Sequence, residues 1–215
     1  MVQLLRGAAN GYKEFPISYN LIKQDKPSSS LVTMFPGKGY TMQGPLFHYS
    51  TGLFISKGFD VLHVNYDYNT EKFDEMDRDE QITQISEDVN AVLNHVLNSN
   101  HTYQNYSLIG KSLGTIALSS IVHHEKLANA SVIWLTPLLQ LDNVFDKMLI
   151  STQRGLCVIG EEDPCYIKSR FEQLDSKENL TSILIPGTDH SLNYPDKPIE
   201  SIEVLKSVIS AISEF

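Results

Sequence analysis

A serine held between two glycines is the residue of this chain best suited to covalent chemistry. It belongs to Tyr106-Ser107-Leu108-Ile109-Gly110-Lys111-Ser112-Leu113-Gly114-Thr115, an apolar run of strand character that passes into Gly-x-Ser-x-Gly. Leu113, Ile116, Ala117, Ser120 and Ile121 then recur at helical spacing on a face of apolar and small residues. A sharp strand-to-helix turn there pushes the serine oxygen out of a sheet, and both flanking positions need glycine because a Cβ would strike a neighbouring element. A neutral hydroxyl is a poor nucleophile, so it needs a base within hydrogen-bond reach and a third group to orient that base. Two later segments carry the residue types for those roles. Residues 156–160 read as a strand followed by the acidic loop Glu161-Glu162-Asp163. Residues 183–185 read as another strand, followed by a loop that holds Asp189 and His190. Four carboxylates therefore compete to orient one histidine.

Serine, acid and histidine in that chain order, with a strand before each, resemble the α/β-hydrolase superfamily and its nucleophile elbow. The resemblance extends over nearly the whole chain and rests on residues 110–114, on Asp163 after the penultimate strand and on His190 after the last. It implies Ser112 as nucleophile, His190 as general base and then acid, and Asp163 as the carboxylate that fixes the imidazole tautomer. Asp163 is preferred because the family places its acid a few residues beyond a glycine that ends the strand, here Gly160. The loop Phe35-Pro36-Gly37-Lys38-Gly39-Tyr40 looks like a variant of the family's oxyanion loop, with Pro36-Gly37 where His-Gly is usual. The family takes one oxyanion donor from the N–H of the residue after the nucleophile, Leu113. The other matches Lys38, with Gly39 the near alternative.

The implied reaction is hydrolysis of a carboxylic ester, thioester or related acyl bond in a small-molecule substrate, through an acyl-enzyme and without a cofactor or metal. A binding protein on the same fold is the alternative from another class, and the intact serine, acid and histidine argue against it. A peptidase or lyase using the same three residues is a third reading, since fold does not fix function.

The elements needed to position these residues follow from hydrophobic periodicity. Apolar, β-branched runs predict strands over 15–20, 31–35, 60–66, 106–109, 131–136, 156–159 and 182–185, with a further edge strand over 1–5. Helical stripes run through Ile82, Ile85, Val89, Val92, Val96 and through Ile202, Leu205, Val208, Ile212, with another helix over 44–57 stopped by Gly58. The expected architecture is one α/β-hydrolase domain over 1–215, with a mostly parallel sheet of about seven strands and helices on both faces. The 137–155 connection leaves room for one helix and for no cap domain. Its apolar stripe (Val144, Phe145, Met148) is expected to pack on the sheet, while Leu138 at its first turn is placed to wall an open pocket. Tyr40 and Tyr68 lie beyond strand ends on the sheet edge where ligands gather, and are expected to line that pocket.

A net charge of −9 lacks the basic footprint that nucleic acid demands and disfavours anionic membranes. The acidic residues over 71–80 suit a helix N-terminus. The first residues hold no apolar run long enough for a secretory signal, and the two cysteines, Cys157 and Cys165, suggest neither disulfide nor metal spacing, so a cytoplasmic location is expected. His63 falls in a predicted strand and His48, His95, His123 and His124 in predicted helices, with no matching ligand set.

Overall fold

The computed structural model describes residues 1–98 and 102–215. Among them, eight strands form one sheet in the order β1-β2-β4-β3-β5-β6-β7-β8. β1 (Val2–Asn10) and β2 (Pro16–Gln24) make an antiparallel hairpin, and β2 runs antiparallel to β4 (Asp60–Asn65). From β4 onward the pairing is parallel, through β3 (Ser30–Phe35), β5 (Asn105–Lys111), β6 (Ser131–Leu135), β7 (Gly155–Gly160) and β8 (Leu180–Ile185). Those parallel strands therefore all end on one edge. The loops after Phe35, Lys111, Gly160 and Ile185 meet there.

Alternation along the strands builds two apolar layers. Leu108 of β5 faces a layer with α3 (Arg78–Leu97), α4 (Gly114–Ile121), α5 (Asp142–Ile150) and α6 (Lys168–Asp175). Its neighbour Ile109 faces the other, with α1 (Pro45–Ser56) and α7 (Pro198–Ile212). The acidic stretch over 71–80 spans α2 (Glu71–Asp74) and the start of α3, where the Asp77 carboxylate accepts the Glu80 N–H at 2.8 Å. α5 turns Val144, Phe145 and Met148 into the first layer. No separate cap domain lies among the described residues between β6 and β7.

Three sequence expectations change. The sheet has eight strands rather than about seven, because the weak edge strand is a nine-residue strand exposed along most of its length. β2 runs on to Gln24, since the Gln24 N–H donates to Asp60 at 2.8 Å and its side chain to the Ile55 and Phe59 carbonyls. His123 and His124 lie beyond the end of α4. There the Gln153 side chain binds the Val122 and Leu127 carbonyls and fixes a turn, while the His124 ring accepts the Lys126 N–H. No helix among the described residues is long and apolar enough to cross a membrane.

Candidate active site

Ser112 occupies the single-residue hinge between β5 and the turn into α4, with φ of +53°. That left-handed conformation costs a non-glycine residue about 1–3 kcal/mol and persists only where the surroundings impose it. Here they do. A Cβ at Gly110 would lie 2.4 Å from the Gly114 carbonyl oxygen, and one at Gly114 only 2.0 Å from that of Phe35. The two glycines let strand, turn and helix close on one another. The Ser112 N–H donates to Leu135 at 3.0 Å, and the Thr115 hydroxyl donates to the Ser112 carbonyl at 2.6 Å.

β7 and β8 are neighbours, so their loops carry Asp163 and His190 side by side. The Ser112 hydroxyl donates to His190 Nε2 at 2.8 Å, and His190 Nδ1–H donates to Asp163 Oδ2 at 2.8 Å. A carboxylate only accepts, so Nδ1 carries the proton and Nε2 keeps its lone pair for the serine. The Asp163 side chain is fully buried, and its other oxygen accepts the Cys165 N–H at 2.8 Å. The competing carboxylates are placed elsewhere. Glu161 accepts the Gly187 N–H, Asp189 accepts those of Ser191 and Asn193, and Glu162 is exposed.

Asp163, Cys165 and His190 bring possible ligand atoms within 4.8 Å of one another. Burial and the Asp163 charge push the Cys165 thiol up to about 11, and the other two groups already bind each other. The cluster is a hydrogen-bonded relay before it is a ligand set.

The loop after β3 lies against the serine. A Cβ at Gly37 would be 3.0 Å from that of Ser112 and 3.6 Å from its oxygen. The N–H groups of Lys38 and Leu113 are engaged by no other backbone or side-chain group among the described residues. Gly39 stands at the turn's tip, with φ of +69° and open space around it. The Lys38 ammonium pairs with Asp74. Behind the loop, the Tyr66 hydroxyl donates to the Pro36 carbonyl at 2.7 Å.

Tyr40 lines a groove of about 540 Å³ together with Leu46, Leu192, Tyr194 and Ile202, and with Asp189 and Ser191, the chain neighbours of His190; His190 and Ser112 themselves do not line it. Tyr68 does not line it. Its hydroxyl donates to buried Asp88 at 2.8 Å and its ring stacks between Tyr66 and Phe73, so a partner on α3 draws it into the core. Leu138 is likewise buried among core residues, its N–H donating to the Thr115 hydroxyl, and forms no wall of that groove.

Two residues here escaped the sequence reading. Tyr66 braces the loop after β3. Lys111, only 2 % exposed, donates to the Thr136 hydroxyl at 3.2 Å and the His190 carbonyl at 3.0 Å, with its ammonium 4.9 Å from the Tyr40 ring centroid. A lone charge in the apolar run 106–113 was the available signal.

This sheet order, elbow and loop placement are those of an α/β-hydrolase fold. A family profile described as alpha/beta hydrolase domain matches residues 29–215, and the chain belongs to that family. Similar solved structures include an esterase of Pyrococcus furiosus, with TM-score 0.74 and 12 % identity over 99 % of this chain and 91 % of that one. A Xanthomonas campestris α/β serine hydrolase without a lid gives TM-score 0.71 and 15 % identity over 99 % and 93 %. An α/β serine hydrolase homologue from Coxiella burnetii gives 0.68 and 15 % over 98 % and 96 %. No curated protein sequence matches this chain.

Proposed function

We propose that this chain is a serine hydrolase that cleaves a carboxylic ester, thioester or related acyl bond. The observation that carries the reading is the continuous relay from Ser112 through His190 to buried Asp163, with both hydrogen bonds at 2.8 Å. Ser112 attacks the acyl carbon while His190 Nε2 takes its proton. The bond to the leaving group breaks as His190 returns that proton to it, and water repeats the sequence to free the acid. Asp163 stabilises the imidazolium formed in between. The N–H groups of Leu113 and Lys38 receive the oxyanion, each such donor being worth on the order of 3 kcal/mol. An apolar part of the substrate fits the groove past Tyr40, and with no cap domain among the described residues the site is open to soluble esters.

Rapid mixing with p-nitrophenyl acetate tests the acyl-enzyme. Wild-type protein should release a burst of p-nitrophenol stoichiometric with enzyme, and Ser112→Ala should release none. A Ser112→Ala variant that turns over at the wild-type rate contradicts the reading.

A further inference from the structure

We propose that Lys111 is a positioning residue: its buried ammonium locks the His190 loop to the oxyanion loop and thereby sets the rate of acyl transfer without touching substrate. The inference rests on the acyl-hydrolase reading above. An ammonium has three protons, and three groups receive them here: the Thr136 hydroxyl, the His190 carbonyl and the face of Tyr40. They follow β6, β8 and β3 respectively, while Lys111 itself ends β5. One side chain thus ties four strand ends together directly beside the nucleophile. With every proton engaged and almost no exposure, Lys111 has nothing left to offer a substrate.

The arrangement is costly, which sharpens what it supplies. No carboxylate forms an ion pair with Lys111 among the described residues, so its charge is held by hydrogen bonds and by more distant groups. The titratable groups facing it are Asp163 and Cys165 from the loop after β7, Asp189 from the loop after β8 and the Tyr40 phenol from the loop after β3. Desolvation outweighs the attraction of those carboxylates and brings Lys111 down to about 8. A methionine would fill similar space without that cost. The lysine adds three directed contacts, two of which grip the loops that carry the base and an oxyanion donor. Loss of its proton removes the charge and leaves two N–H groups for three partners. The hold on His190 should therefore weaken above about pH 8.

The test compares kcat and KM of wild-type protein and Lys111→Met on p-nitrophenyl acetate from pH 5.5 to 10, with thermal unfolding followed over the same range. The proposal expects wild-type kcat to fall above about pH 8 while the fold persists. Lys111→Met should lower kcat by about 30-fold or more on the plateau, leave KM within about threefold, and lose the alkaline fall. A Lys111→Met enzyme with wild-type kcat overturns the proposal, as does one whose lower kcat keeps the alkaline fall. Should that variant not fold, the wild-type profile decides: a fall in kcat near pH 8 without unfolding supports the role, and a flat alkaline plateau overturns it. Failure of the acyl-hydrolase reading looks different, since wild-type protein would then not turn over the ester at any pH.

Discussion

Asp163 gives one carboxylate oxygen to His190 and the other to the Cys165 N–H, and both contacts require an acceptor. An asparagine can satisfy only one of them. With its oxygen toward Cys165, the amide NH2 faces Nδ1 and forces that nitrogen to accept, which moves the ring proton to Nε2 and leaves Ser112 without a base. Asp163→Asn should therefore lower kcat by roughly 10⁴-fold with the fold retained, as a wrong tautomer does in this kind of triad. Glu161→Gln and Glu162→Gln should stay within about threefold of wild type, and steady-state rates of the three variants check the assignment. At this scale the sequence was legible where chemistry needs rare combinations. Ser112 stands between glycines, and His190 follows a strand. The turn of Tyr68 toward the core depends on Asp88, a partner on another element that no local pattern reveals. The roles of Tyr66 and Lys111 depend on the same kind of distant contact.

β7 and β8 bring Asp163 and His190 together through a close approach at Gly160. A Cβ there would lie 2.2 Å from the Thr188 carbonyl oxygen and 2.7 Å from that of Asp189, both in the loop that carries His190. Gly160→Ala must therefore push the His190 loop away from Ser112. It should lower kcat by at least about tenfold while Tm falls by only a few degrees, a pairing that kinetics and thermal unfolding together would check. The inner parallel strands were legible because their buried, β-branched runs leave few alternatives. β1 was faint because it is an exposed edge strand, and its pairing with β2 does not rest on a buried apolar face. The single helix between β6 and β7 was legible in both place and facing, since Val144, Phe145 and Met148 are buried as their spacing requires. The groove past Tyr40 was not. It is walled by residues from the loop after β8 and from α7, which only the closed fold brings against α1.

Across the whole molecule, pH acts on folding as well as on chemistry. His63 is buried on β4 with Nε2 2.8 Å from the Thr51 hydroxyl oxygen, and burial lowers it to about 4. The unfolded chain, with an ordinary histidine near 6.5, binds more protons than the folded one between those values. Stability from this group is thus intact above pH 6.5 and declines as pH falls toward 4, by about 2 kcal/mol on reaching pH 5. Urea unfolding at pH 7 and pH 5 should show that loss in wild type and a smaller one in His63→Gln. In the proposed hydrolase, loops from one edge of the eight-stranded sheet converge to make one serine, Ser112, the nucleophile. Labelling the folded protein with a fluorophosphonate and mapping the adduct by peptide mass spectrometry tests this most directly. One adduct is expected, on Ser112, absent in Ser112→Ala and slowed strongly in His190→Ala; an adduct on another residue, or none on well-folded protein, would contradict that role.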